Sequence, residues 1–129
     1  MALLHKQITE KVLNAFYTVY TVLGYGFLEK VYENAMVIEL TKHGVKVVKQ
    51  KHIKVHYDGQ EVGEYFADLL VEDLVIVEIK AAEGIAEENE NQLVNYLKAT
   101  NKEVGLLINF GKKPEFKRKI FENKLKKLR

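Results

Sequence analysis

The chain has 129 residues, with 20 Lys+Arg against 18 Asp+Glu and a formal net charge of +2, a length that fits one domain with a single hydrophobic core. Its composition, 47% hydrophobic and 29% charged, excludes wholesale disorder. The absence of cysteine excludes a disulfide scaffold, a thiolate zinc site, an iron–sulfur cluster and a cysteine nucleophile.

Ile8, Val12, Phe16, Val19 and Leu23 recur at three- and four-residue steps, which predicts a helix over about Leu4 to Leu23. Gly24-Tyr25-Gly26 breaks it, and Tyr17, Tyr20, Tyr25 and Phe27 are expected as packing residues. A second helix is predicted over Leu28 to His43, with Gly44 as its cap and a stripe of Leu28, Val31, Tyr32, Ala35, Met36, Glu39 and Leu40. The period then changes to two. Strands are predicted at Val45–Lys49, Ile53–Tyr57, Glu64–Val71 and Leu74–Lys80, with a hairpin at Asp58-Gly59. A helix over Ala86–Thr100 and a buried strand over Val104–Phe110 follow. After Pro114 an amphipathic helix over about 114–128 is expected, with Phe116, Ile120, Leu125 and Leu128 inward. This order predicts an α/β or α+β domain with a mixed sheet, because Val104–Phe110 returns through a helix and can lie parallel. No linker or repeat divides the chain, so one domain spanning 1–129 is expected.

No apolar run approaches the ~20 residues that span a bilayer, and residues 1–11 lack signal-peptide order, so a cytoplasmic location without a membrane partner is expected. The charge is unevenly spread. Residues 112–129 hold nine basic and two acidic residues, a balance of +7, which leaves −5 on residues 1–111. Lys117, Lys119, Lys124, Lys126 and Lys127 on the expected tail helix are candidate contacts to a polyanion, the alternative being a solvated face balancing an acidic body.

Three charged residues break the pattern of the central strands. Glu78 and Lys80 follow the apolar run Leu74–Val77, and Asp68 interrupts Tyr65–Val71. A carboxylate buried in a sheet is costly unless it is paired or binds a metal. A two-residue turn at Glu72-Asp73 would set Asp68 opposite Val77. A three-residue connection, Glu72-Asp73-Leu74, or one bulge sets Asp68 opposite Glu78, and the odd-numbered connection is predicted. Two adjacent carboxylates and a lysine suit metal-assisted phosphodiester hydrolysis with Mg²⁺ or Mn²⁺, the alternative being an ion pair at a solvated sheet end. Nearby helices add Glu29 and Glu33 on one face, and Gln92 and Tyr96 on another. His5, His43, His52 and His56 have no companions for a transition-metal site and are expected at the surface.

Gly26-Phe27-Leu28-Glu29-Lys30-Val31-Tyr32 resembles the signature of the GxxExxY protein family, a branch of the PD-(D/E)XK nuclease-like superfamily. Asp68, then Glu78-Ile79-Lys80, then Gln92-Leu93-Val94-Asn95-Tyr96 resemble that superfamily's D, ExK and QxxxY elements, and the likeness runs from about Ile8 to Gly111. Ala67 stands where the superfamily label has proline, and Asn89 where many relatives carry histidine. The resemblance implies a restriction-endonuclease-like αβββαβ core with a central mixed sheet flanked by helices. It also implies metal ligation by Asp68, Glu78 and the Ile79 carbonyl, with Glu29 or its rival Glu33 completing the site. Lys80 would position or activate the attacking water, and Gln92 and Tyr96 would contact that water, Lys80 or the nucleic-acid backbone. The implied function is a Mg²⁺- or Mn²⁺-dependent nuclease acting on DNA rather than RNA, compatible with a homodimer. The alternative is a non-catalytic nuclease-like module that binds nucleic acid or a protein.

Overall fold

A computed structural model describes residues 3–128. Two helices, α1 (Lys6–Leu23) and α2 (Glu29–Lys42), precede strands β1 (Val47–Tyr57), β2 (Gln60–Val71) and β3 (Val75–Lys80). Helix α3 (Glu87–Ala99) leads to β4 (Val104–Phe110) and β5 (Pro114–Ile120). The five strands form one sheet in sequence order, antiparallel except for the parallel β3–β4 pair. That parallel pair follows from the crossover through α3, since parallel neighbours cannot be joined by a tight turn.

Strands β3 and β4 are buried on both faces, which is why their sequences are continuously apolar rather than alternating. On one face Val12, Phe16, Tyr32, Met36 and Leu40 of α1 and α2 pack over Leu69, Val77, Ile79 and Leu106. On the other, Leu93, Tyr96 and Leu97 of α3 pack over Ile53, Leu70, Ile76 and Leu107. The cap predicted at Gly44 forms: its φ is 75°, and the Val45 amide donates to the Leu40 carbonyl across it. No helix among the described residues is long and apolar enough to cross a membrane.

The Asp58-Gly59 hairpin forms, with both residues at positive φ and Tyr57 paired to Gln60. The two strands expected before it are one continuous β1. The β2–β3 connection is the three-residue Glu72-Asp73-Leu74, because Val71 pairs with Val75. Glu72 and Asp73 occupy the left-handed region, and the Leu74 amide closes the turn onto the Val71 carbonyl.

The tail departs from expectation. No helix forms over 114–128; Pro114–Ile120 is instead strand β5, paired to β4 from Phe110↔Pro114 to Val104↔Ile120, and a single 3-10 turn (Asn123–Leu125) follows. The spacing of Phe116 and Ile120 suits a helix, but Phe116, Arg118 and Ile120 also alternate as a strand requires. The open edge of the wholly buried β4 decides between them by supplying hydrogen-bond partners. Phe116, Ile120, Leu125 and Leu128 are exposed, not inward. The expected α2 stripe is also corrected at its start, since Leu28 is 80% exposed and the buried residues are Tyr32, Glu33, Met36 and Leu40. Tyr25 and Phe27 are likewise exposed, because the α1–α2 turn lies at the rim of the core, and Tyr17 is exposed on α1.

Candidate active site

The α1–α2 turn sets one wall of the site. Gly24 and Gly26 carry φ of 67° and 108°, values that favour glycine. The wholly buried Tyr32 fixes this turn from inside. Its hydroxyl donates to the Gly24 carbonyl at 2.8 Å and accepts from the Phe27 amide at 3.2 Å, while its ring stacks on Phe110 with centroids 4.1 Å apart. The spacing of Gly26, Glu29 and Tyr32 therefore has a physical basis: glycine turns the chain, tyrosine pins it, and Glu29 begins the helix. At that position Glu29 meets the positive end of the helix dipole.

Strands β2 and β3 supply the other wall. Their backbone ladder ends at Leu69↔Val77, and the same register places Asp68 beside Glu78. Here side chains replace backbone partners. The Asp68 amide donates to Glu78 Oε2 at 2.7 Å, and the Ile79 amide donates to Asp68 Oδ2 at 2.7 Å. Each carboxylate thus accepts the amide of the opposite strand.

Strand β2 also loses its alternation at this point. Ala67 and Leu70, three residues apart, both join the α3-side core, whereas a regular strand would send them to opposite faces. On β1, Gln50 has a φ of 51° between the pairs Lys49↔Leu69 and Lys51↔Ala67. The break lets Asp68 line a cavity of about 210 Å³ on the α2 side, together with Glu29, Lys30, Glu33, Gln50 and Ile79. Glu78, on the face of β3 that carries Ile76, meets Asp68 in the gap where the ladder ends, its Oε2 on the Asp68 amide.

The electrostatics follow from this burial. Glu78 is only 4% exposed, and desolvation, then the Asp68 charge, push its carboxyl up to about 8. Asp68 is also raised above the ordinary aspartate value, chiefly by burial; the Ile79 amide opposes this, and the Glu33 and Glu29 charges add to it. Lys80, half-buried at the end of β3, lowers both carboxyls. Glu33 is compensated differently: it is buried, and its carboxylate accepts from Lys30 Nζ at 2.8 Å and Gln50 Nε2 at 2.5 Å. Glu29 is exposed at the cavity rim.

Among the described residues no three histidine, aspartate or glutamate side chains converge as a metal-binding group. What is present is the buried Glu78 beside the half-buried Asp68, the Ile79 backbone and the two α2 glutamates. Hard oxygen donors carrying opposed, poorly solvated negative charge fit a divalent cation such as Mg²⁺ or Mn²⁺.

Gln92 and Tyr96 do not line this cavity. They line a second one on the α3 face, where burial and then the Glu78, Asp68 and Tyr65 charges raise the Tyr96 phenol to about 12. The five tail lysines do not form one stripe. Lys119 pairs with Glu90 at 2.7 Å and Lys124 with Glu122 at 3.2 Å, while Lys126 donates to the Thr100 and Lys102 carbonyls at the end of α3. Lys117 and Lys127 are exposed.

Two supporting residues escaped the sequence reading. Gln50 gave no signal. Asn109 did, as an amide in an otherwise apolar strand. Wholly buried, it accepts from the Ala82 amide at 2.9 Å and donates to the Ala82 carbonyl at 3.0 Å, which anchors the segment after Lys80. Gly111 lies against the same carbonyl, where a Cβ would approach to 2.5 Å.

Comparison with known proteins agrees with this architecture. Residues 6–119 match the PD-(D/E)XK nuclease superfamily. A solved structure titled "Crystal structure of SSO0001" is similar with a TM-score of 0.57 at 14% identity, a likeness of fold that covers 91% of this chain and 59% of that one. The chain thus spans less than two thirds of that protein. No curated protein matches it.

Proposed function

The chain belongs to the PD-(D/E)XK nuclease superfamily, and from that membership we propose that it is a metal-dependent nuclease hydrolysing phosphodiester bonds of DNA. The observation that carries the proposal is the interlocked Asp68–Glu78 pair, a half-buried and a buried carboxylate each bonded to the other's strand beside Lys80. Such a pair is poorly suited to a purely structural role, because burial and mutual repulsion disfavour both charges.

In this reading Asp68, Glu78 and the Ile79 carbonyl hold Mg²⁺ or Mn²⁺. Bound there, the cation stabilises phosphoryl charge and lowers the pKa of water. Glu29, free at the rim, is the better candidate than Glu33 to complete the ligand set, since Glu33 is committed to Lys30 and Gln50. The Lys80 ammonium orients the attacking water and offsets charge developing on the phosphate. Asn109 and Gly111 position Lys80 by holding the segment that follows it.

The test is incubation of the protein, Lys80→Ala and Asp68→Ala with linear, nicked and branched DNA in Mg²⁺ or Mn²⁺. Cleavage by the parent alone is the expected result. Cleavage that survives in both variants would sink the site assignment. Salt-dependent binding without cleavage of any substrate would instead identify a nuclease-like binding module.

A further inference from the structure

The α3 face carries a second cavity of about 390 Å³, within the ~300–1,000 Å³ usual for small-ligand sites. Glu88, Asn91, Gln92, Asn95 and Tyr96 line it from successive turns of α3, and Tyr65 lines it from β2. The two tyrosine rings lie 5.6 Å apart at 46°. Tyr96 is 5% exposed, whereas Tyr65 is 47% exposed at the cavity wall. Among the described residues, none of the three amide side chains makes a protein hydrogen bond, although many other polar side chains do.

These features restrict the ligand. No lysine or arginine lines the cavity, and Glu88 is present, so a phosphate does not fit. Aromatic walls suit a flat ring, and unpaired amides suit an edge of alternating donors and acceptors. The site also adjoins the carboxylate pair: Glu78 shares the face of β3 that carries Ile76, and Ile76 packs in the same cluster as Tyr96. A ligand with a planar heterocycle joined to a phosphodiester satisfies all three conditions.

We infer that this cavity receives one unpaired nucleobase of the nucleic acid whose phosphodiester lies at Asp68 and Glu78, with Tyr65 stacking on the ring and Asn91, Gln92 and Asn95 reading its edge. The inference rests on the proposed nucleic-acid function and specifies the substrate as single-stranded or locally unpaired. A paired base has its edge occupied and its faces stacked, so it cannot enter without leaving the helix.

The experiment compares binding of the full chain, in EDTA to prevent cleavage, to a 12-nucleotide single strand and to a wholly abasic strand of equal phosphate number. The base-bearing strand should bind about tenfold more tightly or better. The Asn91→Ala/Asn95→Ala variant should lose that preference; both residues are exposed on α3, and alanine favours a helix. The Asn91, Gln92 and Asn95 side-chain amide NMR signals should shift with the base-bearing strand and not with the abasic one. Equal affinity for the two strands, or a preference that the double variant keeps, overturns the nucleobase site alone. Failure to bind either strand overturns it together with the nucleic-acid reading.

Discussion

Removing the charge of Glu78 should stabilise the metal-free protein at alkaline pH. Burial and the Asp68 charge raise this carboxyl from 4.5 to about 8, so the folded state keeps a proton that the unfolded chain releases. The associated stability is fully present below pH 4.5 and is lost as pH rises through about 8. The displacement is about 3.5 pH units at ~1.4 kcal/mol each, an upper figure on the order of 5 kcal/mol. That is comparable with the ~5–15 kcal/mol that holds a typical domain together. Glu78→Gln keeps an oxygen that can accept the Asp68 amide but cannot ionise. Urea unfolding in EDTA between pH 5 and 9 should show parent stability falling by several kcal/mol, with a much shallower fall in the variant. The residual slope belongs to Asp68, which is raised in the same direction by burial. Adding Mg²⁺ at pH 8 should restore the parent and leave the variant unchanged. A parent curve flat from pH 5 to 9, or a variant with the parent's slope, would refute this account of the pair.

The two α2 glutamates should separate. Glu29→Gln should weaken Mg²⁺ binding, read by isothermal titration, with stability within about 0.5 kcal/mol, since Glu29 is exposed; Glu33→Ala should cost about 1–3 kcal/mol in urea by leaving Lys30 and Gln50 without their acceptor. Gly111→Ala should cost several kcal/mol and slow any cleavage, because the Cβ meets the Ala82 backbone, which cannot swing away; a thermal midpoint equal to the parent's would contradict this. Lys126→Ala should lower stability while leaving the salt dependence of DNA binding unchanged, because its ammonium already serves the Thr100 and Lys102 carbonyls. A slope shallower by about one would return Lys126 to the nucleic-acid contacts.

Much of the site was legible because strand geometry is strict. The side-chain period is two, so counting residues through Glu72-Asp73-Leu74 was enough to bring Asp68 level with Glu78. The turn at Gly24–Gly26 and the cap at Gly44 were equally local, set by residues that tolerate positive φ. What is local in sequence could be read from it.

The rest depended on partners distant in the chain. Glu29 and Glu33 look alike on α2 until Gln50, seventeen residues beyond Glu33, takes one of them. Gln92 and Tyr96 line a cavity on the α3 face rather than the Asp68 cavity, a placement set by how α3 packs on the sheet. The tail lysines suggested a helical stripe until β4's open edge drew Pro114–Ile120 into the sheet. The sequence by itself determined the order of elements as far as β4 and the register of the carboxylate pair. The tertiary structure alone decided which charges are already compensated and which face of the sheet each side chain serves, because both depend on what long-range packing brings alongside.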